Sequence, residues 1–126
     1  MRYRIEKDLL GQRQVPAEAY YGIETLRGKE NFEITKRGIC RQMIKALAIV
    51  KKAAAKANVD ALNIDEKVGK AIILACDEIL NGRLHGQFVT DLIQGGAGTS
   101  MNMNANEVIA NRANELLGGK KGVFEV

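Results

Sequence analysis

The residues best suited to chemistry lie in one run near the end of the chain, positions 94–108. Three glycines within four positions come directly before Thr99 and Ser100, and a segment rich in asparagine follows. Glycine lets the backbone turn sharply and approach a ligand closely. Either hydroxyl can cap a following helix, whose first unpaired N–H groups and dipole attract anions. The run therefore predicts a corner that binds a carboxylate or a phosphate.

The familiar phosphate loops do not fit this run. Met101 stands where a dinucleotide fingerprint needs its third glycine, and no Gly-Lys-Ser/Thr follows as in a Walker loop. A glycine-rich segment before a helix is also compatible with a plain connection. The asparagines behind it favour the binding site.

Five asparagines lie between positions 102 and 114, although asparagine is a poor helix former. On a helix, Asn104, Glu107, Asn111 and Asn114 share one face. That face is either a hydrated surface or a polar seam whose amides bond to neighbouring elements. We favour the seam, because helix propensity gives no other reason for so much asparagine.

Composition favours a mainly α domain: 46% of the 126 residues are hydrophobic and only one is proline. The net charge of +4 is dispersed, without a basic and aromatic stripe, so we expect no nucleic-acid partner. No apolar run approaches the roughly 20 residues that span a bilayer, and the start lacks the apolar region of a signal peptide. We expect no membrane partner and a cytoplasmic location.

Cysteine and histidine usage predicts no bridge and no metal site. Cys40 and Cys76 follow no recognised pattern and are expected to be free thiols. His85 is the only histidine, and neither cysteine lies at ligand spacing from it. We expect His85 in a loop or at the surface.

The first 35 residues predict irregular structure with short extended pieces. Tyr3–Ile5 and Phe32–Ile34 alternate apolar and polar residues and are expected to pair as two small strands. Pro16 is expected to open a brief helix.

Three long helices are predicted, over residues 41–57, 65–80 and 99–117. The second begins at a capping Asp65, stops at Gly82 and buries Val68, Ala71, Ile72, Ala75 and Ile79. The first is expected to bury the stripe Met43, Leu47, Val50 and Ala54. Residues 87–94 lead into the glycine loop, and the third helix ends at Gly118.

Residues 95–108 resemble the first signature region of the aspartase/fumarase superfamily. The N-terminus agrees with it independently, through Arg4–Asp8, Gly11, Val15-Pro16, Ala19–Gly22, Thr25, Arg27, Asn31-Phe32 and Ile34. Within the superfamily the chain is more similar to the aspartate ammonia-lyases (aspartases) than to class II fumarases. Fumarases resemble one another in a tryptophan at the position of Tyr21 and a serine at that of Ala97. Ala97 removes a hydroxyl that could bond a hydroxylated substrate.

The resemblance implies an N-terminal helical domain with a short β-hairpin, residues 1–126, from a longer polypeptide whose central bundle and C-terminal domain lie outside this chain. The reaction it implies is the reversible β-elimination of ammonia from L-aspartate, which gives fumarate. Family members form homotetramers with each site built from three subunits, and their serine base lies in a later loop. No catalytic residue is therefore expected before Val126, and no cofactor. The resemblance is also compatible with activation of the whole enzyme by a divalent cation, but no cation site is expected in this chain.

The resemblance assigns Thr99 a contact with a substrate carboxylate, and Ser100 a second contact or a purely capping role. Arg27 either pairs with a substrate carboxylate or with a structural partner. The supporting loop is expected to use Gly96 and Gly98. Asn102 and Asn104 are expected to brace the loop or to pack within the assembly rather than to bind substrate.

Two alternatives remain at this point. One keeps the superfamily but changes the substrate, as in a class II fumarase or another fumarate-releasing lyase. The other is a self-contained helical interaction module without catalysis. In the leading interpretation the isolated chain is inactive and self-associates, because its apolar stripes have lost their partners.

Overall fold

A β-hairpin and four helices make up the computed structural model, which describes residues 1–123. The elements are β1 (Tyr3–Asp8), β2 (Gly11–Pro16), α1 (Ile23–Asn31), α2 (Arg41–Asp60), α3 (Glu66–Leu80), a short 3-10 helix (His85–Gln87) and α4 (Thr99–Leu116). This architecture confirms the mainly α fold with an N-terminal hairpin. No helix among the described residues is long and apolar enough to cross a bilayer.

The hairpin does not pair the two segments that were predicted to pair. β1 and β2 are antiparallel, with Tyr3 opposite Pro16 and Asp8 opposite Gly11. The predicted partner segment, Phe32–Ile34, is not a strand, and this prediction was wrong. A tight local connection pairs strands at a much lower entropic cost than a partner some thirty residues away.

Two other expectations for the N-terminal region were also wrong. Pro16 opens no helix and instead ends β2, at a sheet end where a missing N–H is tolerated. The region is not irregular throughout, because α1 follows the hairpin.

Helix α3 follows its sequence signals. The Asp65 carboxylate accepts a hydrogen bond from the Lys67 N–H at 3.2 Å, which confirms the predicted cap. Ala71, Ala75 and Ile79 are buried as predicted, Val68 and Ile72 are only half-buried, and α3 packs along α2.

Helix α2 presents a different face to the core from the one predicted. Ile44, Ala48 and Ala55 are buried, whereas Met43 is 40% and Val50 61% exposed. The stripe prediction was wrong because this alanine-rich helix carries apolar residues on more than one face. Periodicity alone does not say which of those faces meets the neighbouring helices.

The polar seam on α4 is confirmed. Asn104 and Asn111 are fully buried and Asn114 is 6% exposed. The seam lies beside the core formed by α2, α3 and α4, whose buried members are Ile44, Ala48, Ala75, Cys76, Ile79, Phe88, Ala105, Val108 and Ile109.

Asn104 and Asn111 bond to backbone groups that lie outside the hairpin and the four α-helices. Asn104 accepts from the Val89 N–H at 2.8 Å and donates to the Gln87 carbonyl at 2.9 Å. Asn111 donates to the Tyr20 carbonyl at 2.7 Å and accepts from the Gly122 N–H at 2.8 Å. Buried backbone groups outside helices and sheets need such partners, so the seam fixes these segments to α4.

Glu107, the seam's one charged member, holds the start of α1. Its carboxylate accepts from the N–H groups of Gly22 at 3.1 Å, Glu24 at 3.1 Å and Thr25 at 2.7 Å. The buried Thr25 hydroxyl also donates to it at 2.6 Å. No residue in the first turn of α1 supplies a side-chain cap, so a carboxylate from another helix caps α1 and favours its positive dipole end.

Asp91 does the same for the loop after α1. Its buried carboxylate accepts from the N–H groups of Ile34, Thr35 and Lys36 at 2.8–3.1 Å and from the Thr35 hydroxyl at 2.9 Å. Burial by itself would raise the pKa of this carboxyl. The N–H groups of Ile93, Lys36 and Thr35 and the Thr35 hydroxyl outweigh that effect and lower the pKa to about 2.

We expect Glu107→Gln to lower the free energy of unfolding of this chain by about 2 to 3 kcal/mol at pH 7, because the bonds from three N–H groups and a hydroxyl lose their charged acceptor. Urea unfolding followed by circular dichroism measures the change. The control is Glu66→Gln, which removes an exposed pair with Lys70 and should cost less than about 0.5 kcal/mol. Equal losses in the two variants would contradict the capping role.

Asp91→Asn should lower the melting temperature at pH 7, and its difference from the wild type should shrink as the pH falls from about 4 to about 2. The folded-state pKa is about 2 against an ordinary 3.8, so the carboxylate stabilises the fold above pH 3.8 and loses that effect as the pH falls through 2. Thermal melts across this range test the prediction. A difference that stays constant down to pH 2 would refute it.

Candidate anion-binding site

The glycine loop turns into α4 through backbone conformations that favour glycine. Gly96 has φ 60° and Gly98 has φ 79°, both in the left-handed region. Gly98 occupies the N-cap position of α4, and no side chain of its own caps the helix there. Thr99 and Ser100 are the first two helical residues, beyond the cap position, so the prediction that either one caps α4 was wrong.

Gln94 makes the bond that a capping residue normally makes. Its side-chain carbonyl oxygen accepts from the Met101 N–H at 3.0 Å, and its amide nitrogen donates to the Asp91 carbonyl at 2.6 Å. Met101 is the third residue of α4, whose N–H is the usual target of an N-cap side chain. Gln94 directly precedes the glycines, but no signal in the sequence marks it as a cap.

The loop rests on the end of α1. A Cβ built on Gly95 would lie 2.2 Å from Cζ of Phe32, so the Phe32 ring lies directly against the loop backbone. Asp91 fixes the segment that follows Phe32, and this segment and the loop therefore hold each other in place.

The loop and α1 form an open cleft of about 390 Å³ that collects most of the predicted site residues. Its lining includes Arg27, Gly96, Thr99 and Ser100. Thr99 is exposed, whereas Ser100 is 9% exposed and lies against Gly28 of α1.

The two predicted braces lie outside the cleft. Asn102 accepts a hydrogen bond from the Lys51 ammonium at 2.6 Å. Asn104 holds residues 87–90, which lead into the glycine loop, and does not contact the loop itself.

Arg27 is engaged by a residue of the hairpin. Its Nε donates to one carboxylate oxygen of Asp8 at 2.7 Å and its Nη2 to the other at 3.0 Å. This bidentate pair is the main reason that the pKa of Asp8 falls to about 2. Asp8 is therefore the structural partner of Arg27, which was one of the two expectations for this residue. A contact between Arg27 and a substrate carboxylate stays a prediction.

Glu24 adds an acidic group to the same cleft. Its pKa is raised first by burial and then by its neighbour Asp8. The cleft wall formed by α1 is therefore not strongly cationic, since Arg27 is neutralised by Asp8. Attraction for an anion must come mainly from the loop and the first turn of α4.

Phe32 also lines a larger cavity of about 480 Å³, beside Lys29, Lys36 and Arg37. Its one buried ionisable group is Asp91, whose oxygens are already taken by backbone N–H groups. The basic residues there are exposed surface groups, so we assign this cavity no ligand.

Histidine and cysteine lie apart from the cleft. Within residues 1–123, no three His, Cys, Asp or Glu side chains form a group that could hold a metal ion. His85 lies in the short 3-10 helix with Nε2 2.9 Å from the Ile79 carbonyl oxygen. Both cysteines are free, as predicted, with Cys40 exposed and Cys76 buried. Burial raises the pKa of Cys76 to about 11.

Known proteins are similar to this chain, in sequence and in structure, over nearly its whole length. Aspartate ammonia-lyase of Bacillus subtilis (strain 168) is 63% identical over 122 residues, which are 97% of this chain and 26% of the relative. A solved fumarate lyase:delta crystallin from Brucella melitensis, bound to cobalt, superimposes with a TM-score of 0.96 at 51% identity. That match covers 98% of this chain and 27% of the other.

A solved class II fumarase from Schistosoma mansoni superimposes with a TM-score of 0.93 at 38% identity, over 99% of this chain and 27% of the other. The chain thus spans about a quarter of the length of the relatives that it matches. The family model described as Lyase matches residues 11–125. On this match, and in agreement with the resemblance seen in its glycine loop and N-terminus, the chain belongs to the lyase family.

Proposed function

We propose that this chain is the N-terminal part of an aspartate ammonia-lyase, which eliminates ammonia reversibly from L-aspartate to give fumarate. The observation that carries the proposal is the open cleft in which Thr99 and the first turn of α4 meet a glycine loop. The 63% identity to a relative named aspartate ammonia-lyase supports this choice of reaction.

The cleft suits one wall of a site for β-elimination. Removal of a proton from the carbon next to a carboxylate leaves a carbanion, whose charge spreads into that carboxylate. Donors placed in advance around the carboxylate stabilise this charge as it develops. In our proposal the Thr99 hydroxyl and the N–H groups of Thr99 and Ser100 are those donors.

The rest of the machinery lies outside residues 1–126 in this proposal. The base is the serine that the resemblance places in a later loop, and this chain contributes no catalytic acid or base. The elimination needs no cofactor, because the substrate's own carboxylate accepts the negative charge. Activation of the complete enzyme by a divalent cation stays an expectation from the resemblance.

Substrate choice is the finer part of the proposal. A class II fumarase also matches this fold, so the architecture alone favours neither substrate. Ala97 and Tyr21 favour aspartate, since Ala97 supplies no hydroxyl for the hydroxyl group of malate. The interaction-module alternative has no comparable support, because the lyase match covers residues 11–125.

The proposed assembly is a cytoplasmic homotetramer whose sites combine three subunits. Apolar residues on the outer face of α2, among them Met43, Ile49 and Val50, support burial against further protein. Two free cysteines suit a reducing compartment. We propose no nucleic-acid or membrane partner, and self-association of the isolated chain stays a prediction.

Thr99→Val in the complete polypeptide should lower kcat/KM for L-aspartate by about a hundredfold, the typical cost of one lost donor to a developing oxyanion. Steady-state rates of fumarate formation, read in the ultraviolet, give the value. The matched control is Thr90→Val, which removes a buried hydroxyl without a hydrogen-bond partner among residues 1–123. Full activity in both variants would exclude Thr99 from the site.

The complete polypeptide should form fumarate from L-aspartate and not from L-malate, and the 126-residue chain alone should form none from either. The chain alone supplies one wall of a site and spans about a quarter of its relatives. Parallel assays of both proteins on both substrates test this. Preference for L-malate would favour a fumarase, and turnover by the short chain would overturn the division of the site.

A further inference from the structure

We infer that Gln94 is a positioning residue of the proposed site, which caps α4 from outside the helix and leaves its first two N–H groups and the Thr99 hydroxyl for a substrate carboxylate. The inference rests on the proposed function for the identity of the ligand. The contacts of Gln94 themselves are independent of that proposal.

The first turn of α4 offers three N–H groups before its own hydrogen-bond ladder begins. The ladder starts at Asn102, whose N–H donates to the Gly98 carbonyl at 3.1 Å. The Met101 N–H donates to Gln94 at 3.0 Å. In the part of the chain that the structure describes, no acceptor takes the N–H of Thr99 or Ser100. Two adjacent donors thus remain beside the exposed Thr99 hydroxyl.

A normal capping residue would interfere with this arrangement. At Gly98 the φ of 79° strains any residue with a side chain, and a Cβ there would lie 2.8 Å from Cε of Met101. A serine or aspartate at the cap would also place its own oxygen in front of the free N–H groups. The cap must therefore come from elsewhere, and Gln94 reaches it across the loop.

The second bond of Gln94 fixes which way its amide points. Its nitrogen donates to the Asp91 carbonyl at 2.6 Å, so its oxygen must face Met101. Asp91 is itself held by the N–H groups of residues 34–36 and of Ile93. The Gln94 side chain thus links the Asp91 carbonyl to the Met101 N–H across the glycine loop, and we call this link the clamp.

Loss of the clamp should affect the site more than the fold. Without it the Met101 N–H becomes a third free donor and the loop loses its cross-link. A bound carboxylate would then have a competing donor and a shifted loop, and small displacements at a reacting centre reduce turnover strongly.

The test compares variants of the complete polypeptide. Gln94→Met keeps the side-chain length and loses both bonds, while Gln94→Glu keeps the acceptor for Met101 and loses the donor to Asp91. The matched control is Gln87→Met, which removes a bond from the Tyr20 N–H at 2.8 Å, away from the cleft. Kinetics with L-aspartate and melting temperatures are measured for all three variants.

We expect Gln94→Met to raise KM and lower kcat, with kcat/KM down about tenfold or more. Gln94→Glu should recover part of the loss in kcat, because it keeps the cap on Met101, while its added negative charge keeps KM for a dicarboxylate high. Gln87→Met should stay within about twofold of the wild type, even where both methionine variants melt at similarly reduced temperatures. Unchanged kcat and KM in Gln94→Met, or an equal kinetic loss in Gln87→Met, would overturn the inference.

Amide hydrogen exchange of the wild type supplies a measurement that needs no variant. The Met101 amide should be protected without ligand, and the Thr99 and Ser100 amides only after a dicarboxylate such as succinate is added. Fast exchange at Met101 without ligand would refute the clamp. If the wild type releases no fumarate from L-aspartate while Met101 is protected, the proposed function fails and the clamp stands.

Discussion

The fold depends on one constraint: buried backbone groups outside helices and strands must find hydrogen-bond partners. Much of the chain around the cleft is irregular, and its N–H and carbonyl groups are bonded by a few polar side chains. Asn104 on α4 holds residues 87–90, Glu107 and Asn111 together hold residues 20–25, and Asp91 holds residues 34–36. These contacts explain the asparagines on the buried face of α4, which helix propensity alone disfavours.

The same device sets the geometry of the cleft. Glu107 fixes the start of α1, and Asp91 fixes the loop at its end, so α1 is held at both ends beside the first turn of α4. Gln94 extends this network to α4 itself. The wall of the cleft is therefore held in place by side-chain hydrogen bonds, while the Thr99 and Ser100 N–H groups at its edge have no acceptor among residues 1–123. A reaction that forms a carbanion is catalysed by hydrogen-bond donors that are already in place around the developing charge, and these N–H groups meet that requirement.

The sequence predicted the features that depend on local signals. Asp65 and the period of α3 were sufficient for that helix, and the spacing of the asparagines was sufficient for the seam. Features that depend on distant partners were not predictable. The sequence did not reveal that Asp8 would form an ion pair with Arg27, that β1 would pair with β2, or which face of α2 would be buried. The role of Gln94 was not predictable for the same reason. A cap that comes from outside the helix leaves no capping residue at the N-cap position of the sequence.

The most direct measurement is a crystal structure of the complete polypeptide with a bound dicarboxylate such as succinate. We expect one carboxylate within hydrogen-bond distance of the Thr99 hydroxyl and of the N–H groups of Thr99 and Ser100, with Met101 still bonded to Gln94. A ligand bound away from the glycine loop, or a Thr99 hydroxyl turned from it, would contradict the assignment of this cleft as the substrate's binding wall.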